Sequence, residues 1–239
     1  MNIPKRIDSR IDYYFFSDDE KNVSSPWIYK RPPDLGLNHK DTNRYVKIHP
    51  HLIEPLSEYD LTIYIDGSIN IVGDVYEFAS DVASKEGDLF FFEHCQRSCV
   101  YDEAYNCAFR GLESPFVIGR QLLKYRRNKF PANYGLFEAN IIVRKKSQKL
   151  SDFMELWWNE YCTGPKRDQL SLTYLAWKEN FHISSLGRSD LRFTHHYFKI
   201  NNHVVSAKII SENRKNINLA ILKLYYFFYK IESALKKFR

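Results

Sequence analysis

Apolar and polar positions along the chain alternate between a period of two and a period near 3.6, and each switch marks an element. "IDYYFF" (11–16) is an apolar run closed by Ser17, Asp18 and Asp19, which predicts a strand and a turn. Residues 24–43 are broken by Pro26, Pro32 and Pro33, so they read as loop around one short strand at 27–30. "RYVKIHPHLI" (44–53) predicts a short helix stopped by Pro50 and Pro55. Residues 61–66 form a nearly continuous β-branched apolar run, the pattern of a buried parallel strand.

Further on, the pattern predicts a helix over 74–84, a Phe-rich strand over 88–96 and a helix over 98–111, capped by Ser98 and stopped by Gly111. A basic helix is expected over 120–130, and a strand or pair of strands over 135–146. Helices follow over 151–164, from Ser151 to Gly164-Pro165, and over 166–180, with Asp168 in the first turn. A late strand is expected over 192–200. The alternation of strand and helix favours a three-layer α/β domain with a mainly parallel central sheet over 1–212. A basic amphipathic helix is expected over 213–239.

Charge sharpens this picture. The formal net charge is +6, and residues 214–239 carry seven Lys/Arg against Glu232 alone, so that segment supplies the whole excess. The remainder is near neutral, which argues against a broad nucleic-acid groove, and "KYRRNK" (124–129) is too short to serve as one. No run of 18 apolar residues is present, and "MNIPKRIDSRIDYYFF" lacks the apolar core of a signal peptide. Three of the four cysteines, Cys95, Cys99 and Cys107, crowd together, unlike a secreted disulfide framework. They read as reduced thiols of a cytoplasmic protein. Cys95 and Cys99 beside His94 suggest zinc, but the spacing matches no standard zinc module.

Candidate chemistry gathers at expected strand ends and helix starts. Asp66 closes the 61–66 run and is followed by Gly67 and Ser68, where backbone can approach a ligand. Taken alone this is also a common turn dipeptide. His94, Arg97 and Glu103 follow one strand, Glu138 and Arg144 bracket another, and Arg167 and Asp168 open a helix, where the dipole favours anions.

Several of these pieces, in order, carry a resemblance: "RYVKIHPHL", "IYIDGSINI", "EHCQRSCVYDEA", "GLFEANIIVRK" and "LWWNEYCTGPKRDQLSLTYLAWK". Over roughly residues 11–185 the chain resembles the glycosyltransferase-like domain family of bacterial capsule and O-antigen clusters and of plant mucilage and turgor-regulation proteins. The resemblance implies a GT-A-like fold and sugar transfer from a nucleotide-sugar donor to a polysaccharide or glycolipid acceptor. It implies a divalent cation, Mn²⁺ or Mg²⁺, held by Asp66 and Ser68, with a late histidine, His195 or His196, completing the site. Arg44, Lys47, Gly67, His94, Arg97, Glu138, Arg144, Arg167 and Gln169 would line the donor site. Asp168, then Glu103, would act in catalysis.

Two departures stand beside it. Ala139 replaces the family's usual glycine after Glu138, and only "MNIPKRIDSR" precedes the segment at 11–19, where the family places a further strand. The latter leaves open a non-catalytic binding or assembly protein with an incomplete donor site; a metal-dependent hydrolase using the same carboxylates is a third reading. The apolar and basic residues of 217–239 suit a helix lying on an anionic membrane surface, which would make the enzyme a peripheral protein of the inner face.

Overall fold

A computed structural model describes residues 2–20, 23–188, 196–200 and 210–235. In chain order the elements are β1 (Tyr13–Phe16), β2 (Trp27–Lys30), α1 (His39–Ile48), β3 (Leu61–Ile65), β4 (Ile69–Ile71), α2 (Val75–Ser84) and β5 (Leu89–Glu93). There follow α3 (Val100–Phe109), α4 (Pro115–Arg127), β6 (Phe137–Lys145), α5 (Gln148–Thr163), α6 (Gln169–Lys178), β7 (Ser184–Arg188), β8 (Phe198–Ile200) and α7 (Glu212–Leu235). The described residues form two compact units.

The first unit is drawn from residues 1–95, 138–155 and 182–204. Its principal sheet has the order β3-β6-β5-β7. β3 and β6 are antiparallel, with Leu61 opposite Lys145 and Ile65 opposite Ile141, whereas β5 and β7 are parallel. The sheet is therefore mixed, which corrects the expectation of a mainly parallel one. Strand–helix alternation implies parallel neighbours only if successive strands pair, and here β6 inserts between β3 and β5. β3 becomes an edge strand, and its five residues are only half-buried, where the apolar run suggested burial on both faces. β1 and β2 form a parallel pair, and β4 pairs antiparallel with β8.

One face of the principal sheet supplies a core. Ile141 and Val143 of β6, Phe90 and Phe92 of β5, and Val75, Phe78 and Val82 of α2 cluster there, with Leu61, Ile63 and Ile65 against them. The Phe78 ring meets Phe198 edge-on, centroids 5.1 Å apart, an arrangement that the ring quadrupole favours. Asp74 starts α2 by accepting the Glu77 N–H at 3.0 Å. α1 begins earlier than its hydrophobic pattern suggests, because Asn38 caps it by accepting the Asp41 N–H at 2.9 Å.

The second unit comprises residues 96–137, 156–181 and 205–239. It is helical, built from α3, α4, the C-terminal part of α5, α6 and α7. Tyr125 and Tyr174 stack with centroids 3.7 Å apart, and Trp157 is fully buried. Cys99, rather than Ser98, stands at the N-cap of α3, without a side-chain bond. Gly111 does end that segment, at φ +65°, a conformation that suits glycine. α5 starts before Ser151: the Ser147 hydroxyl accepts the Leu150 N–H at 3.1 Å. α7 packs on α3 and α4. Asn218 donates to the Ala108 carbonyl at 2.8 Å and Leu222 is buried, so these two residues face inward. Ile217, Leu224, Phe227, Phe228, Ile231 and Leu235 remain exposed.

Candidate functional site

The period of two along β3 sends Leu61, Ile63 and Ile65 into the core and leaves Thr62, Tyr64 and Asp66 on the other face. Directly opposite residues of an antiparallel pair share a face, so Ile142 and Arg144 join Tyr64 and Thr62 there. The Asp66 N–H donates to the Asn140 carbonyl at 2.8 Å, extending the pairing past the end of β3. Glu138 has the same parity on β6 and falls on that face too.

Asp66 has two roles. Its carbonyl accepts the Ile69 N–H at 2.9 Å, closing a turn with Gly67 and Ser68 exposed at the tip. Its side chain points back to Tyr64, whose hydroxyl donates to Oδ1 at 3.0 Å. A β-carbon on Gly67 would meet nothing within 4 Å, so this glycine is not required by close packing.

Two cations lie beside this face. Lys47 of α1 is buried, and its Nζ stands 5.3 Å from the centre of the Tyr64 ring, a cation–π distance. Arg144 is buried and donates to the Lys47 carbonyl at the end of α1, where the helix dipole favours a cation. Burial holds the Arg144 guanidinium well below its ordinary value, at about 9, opposed by the nearby Tyr64 phenol. Its Nε is buried without a partner among the described residues. Arg44, one turn before Lys47, donates to the Asn43 side chain at 2.6 Å.

At the end of β5, His94, Cys95 and Glu138 converge: one ligand atom from each lies within 4.8 Å of the others. His94 Nε2 is 3.5 Å from Glu138 Oε1, and His94 is buried. Sequence spacing paired Cys95 with Cys99, but Cys99 is a buried N-cap residue of the second unit. None of the four cysteines is in a disulfide.

The second unit holds the remaining candidates. Glu103, in the first turn of α3, is buried and paired with Arg97 Nε at 2.6 Å. It also accepts the Cys107 thiol at 3.3 Å. Burial, then the Glu103 charge, pushes that thiol up to about 12, so Cys107 is not a nucleophile at neutral pH. Arg167 also interacts with Cys107, lowering its pKa and so opposing part of that rise. Asp168 is buried at the N-cap of α6, and its carbonyl accepts the Trp157 indole N–H at 3.1 Å and the Ser171 hydroxyl at 3.0 Å. The Gln169 amide donates to the Phe137 carbonyl at 2.7 Å.

The structure thus places Arg44, Lys47, Asp66, Gly67, Ser68, His94, Glu138, Arg144 and His196 in the first unit, and Arg97, Glu103, Arg167, Asp168 and Gln169 in the second. His195 lies outside the described residues, and His196 is exposed beside Tyr197. Among the described residues no group of three His, Cys, Asp or Glu side chains forms around Asp66. Tyr64 and Asn140 were missed in the sequence; counting back by two from Asp66 would have found Tyr64, whereas Asn140 needs the register.

The family profile of the TOD1/MUCI70 glycosyltransferase-like domain matches residues 37–205. The chain belongs to this family. The matched span runs from the start of α1 past β8, so it takes in the Asp66 face, the His94 cluster and the helix bearing Asp168. No curated protein and no solved structure gives a significant match to the chain.

Proposed function

We propose that this member of the TOD1/MUCI70 family is a glycosyltransferase that moves a sugar from a nucleotide-sugar donor to a polysaccharide or glycolipid acceptor. The supporting observation is Asp66 at the carboxyl end of β3, on the face that also carries buried Arg144, with buried Lys47 of α1 beside it. One carboxylate beside cations is the donor set for a cation–diphosphate pair. Mg²⁺ or Mn²⁺ takes one or two protein carboxylates and completes its shell with water and substrate phosphates. Tyr64 engages Oδ1 of Asp66, and Oδ2 would take the cation. When bound, that ion would supply charge stabilisation for the leaving diphosphate.

Lys47 would add a fixed positive charge toward the diphosphate. Arg144 would act from behind by holding the Lys47 carbonyl, and so the last turn of α1. Transfer to a hydroxyl also needs a group that takes its proton. Glu103 is committed to Arg97 and Cys107, which favours Asp168 for that role. The Trp157 and Ser171 bonds to the Asp168 carbonyl would fix its backbone, so that its side chain keeps one direction.

No described helix is long and apolar enough to cross a membrane. The exposed apolar stripe of α7, with Lys223 and Lys230 also exposed, fits a helix resting on an anionic lipid surface and would bring a lipid-linked acceptor close.

The test is a thermal-shift screen of nucleotide sugars with and without Mn²⁺, because a ligand selective for the folded state raises the midpoint. A cation-dependent shift with one donor, lost in Asp66→Asn, supports the reading. No shift with any donor would sink it in favour of a non-catalytic relative. Turnover of donor to free sugar, indifferent to acceptor, would point to a hydrolase.

A further inference from the structure

The cluster of His94, Cys95 and Glu138 differs from the hard-cation donor set at Asp66. It offers one nitrogen, one sulfur and one oxygen, from residues that the chain has to bend to bring together. Neighbouring residues of a regular strand point to opposite faces. His94 and Cys95 escape this because β5 ends at Glu93 and the chain bends at Cys95 and Gln96. The β5–β7 register also shifts between Phe91 and Glu93, an irregularity of the kind that re-aims side chains. Glu138 then arrives from β6, the sheet neighbour of β5.

We infer that His94, Cys95 and Glu138 form a three-ligand site for a borderline divalent ion of the zinc class. Imidazole and thiolate select such ions over Mg²⁺ or Ca²⁺, which prefer all-oxygen shells. Bond lengths of about 2.0–2.3 Å to zinc place tetrahedral ligand atoms roughly 3.3–3.8 Å apart. His94 Nε2 and Glu138 Oε1 already stand at 3.5 Å, and one ligand atom from each of the three residues lies within 4.8 Å of the others, so closing on an ion needs shifts on the order of 1 Å. Buried His94 gives the site a fixed wall, while half-exposed Cys95 and Glu138 leave a path for the ion. Three protein ligands leave a fourth position for water or a phosphate oxygen, the arrangement of reactive rather than purely structural zinc sites. This inference stands apart from the sugar-transfer reading, since none of its ligands is needed for the Asp66 cation.

The experiment is a Co²⁺ titration of the reduced full-length chain in a Cys162→Ser background, which removes the exposed thiol. Cobalt reports a bound thiolate by a sulfur-to-metal charge-transfer band. The expected result is one equivalent bound, with the band displaced by Zn²⁺, absent in Cys95→Ser and unaffected by Asp66→Asn. Glu138→Gln should weaken binding at least tenfold while the far-ultraviolet circular dichroism stays unchanged. Absence of the band, its survival in Cys95→Ser, or its loss in Asp66→Asn would each overturn the assignment. Because no sugar nucleotide enters the measurement, its failure leaves the transferase reading intact, and the reverse holds too.

Discussion

Gly119 in α4 is the point where the seating of α7 can be tested most sharply. A β-carbon built there would lie 2.3 Å from Cδ2, 2.6 Å from Cε2 and 2.8 Å from Cγ of Tyr225. Carbon atoms in contact prefer about 3.5–4.0 Å, so Gly119→Ala obliges the ring or the helix to retreat by more than about 1 Å. The ring is not a flexible chain end, and α7 is held on both sides of it. Asn218 is bonded to Ala108, and Glu232 pairs with Arg127 Nε at 2.9 Å. Overpacking of this kind costs about 1–3 kcal/mol. Alanine in a helix interior returns about 0.5–1 kcal/mol relative to glycine. The expected net loss is at most roughly 2.5 kcal/mol, or a fall of up to about 10 °C in the melting midpoint for a chain of this size. Thermal unfolding of four proteins decides it: wild type, Gly119→Ala, Tyr225→Ala and the double variant. With the ring removed, Gly119→Ala should become stabilising, because only the helix preference remains. The same effect in both backgrounds, or a wild-type chain made more stable by alanine, would refute the contact and the packing of α7 drawn from it.

Asp168→Asn should leave donor-induced thermal shifts intact and lower the transfer rate by about 10²–10⁴, the usual contribution of a general base; normal turnover would remove Asp168 from that role. His49, stacked on Tyr45 with ring centres 4.2 Å apart, is lowered to about 4 by burial, with Glu155 opposing and His51 and Arg144 reinforcing. The folded chain therefore binds fewer protons there than the unfolded one. The stability this neutral imidazole contributes is complete above about pH 6.5 and is lost as pH falls through about 4. Urea midpoints of His49→Phe should be flatter than wild type across that window; parallel curves would argue against a buried neutral imidazole. Replacing exposed Phe227 and Phe228 by serine should change stability by less than about 0.5 kcal/mol, as surface substitutions do, yet weaken co-sedimentation with anionic vesicles. Equal sedimentation would retire the lipid-facing reading of α7.

The amino-acid pattern determined much of this protein by itself. Local preference and period located most of the strands and helices, since Phe-rich β5 and the apolar spacing of α2 act over a few residues. It also exposed the family, whose motifs are contiguous stretches such as "IYIDGSINI" and "RDQLS". Boundaries moved where a cap, not hydrophobicity, set them, as Asn38 does for α1 and Ser147 for α5. β7 was passed over because "SSLGR" offers neither alternation nor an apolar run, and only pairing with β5 makes it a strand.

Tertiary structure decided what depends on contacts between distant segments. Strand order is such a property: β6 enters between β3 and β5, so the sheet is mixed and β3 lies at its edge. The setting of Asp66 is another, because Arg144 reaches its face only through the β3–β6 register, and Lys47 through the anchoring of α1. The partner of His94 and Cys95 was beyond reach as well. Linear spacing offered Cys99, four residues on, whereas the bend at the end of β5 turns both side chains toward Glu138, which is close in space because two strands are neighbours and far in sequence because two helices intervene.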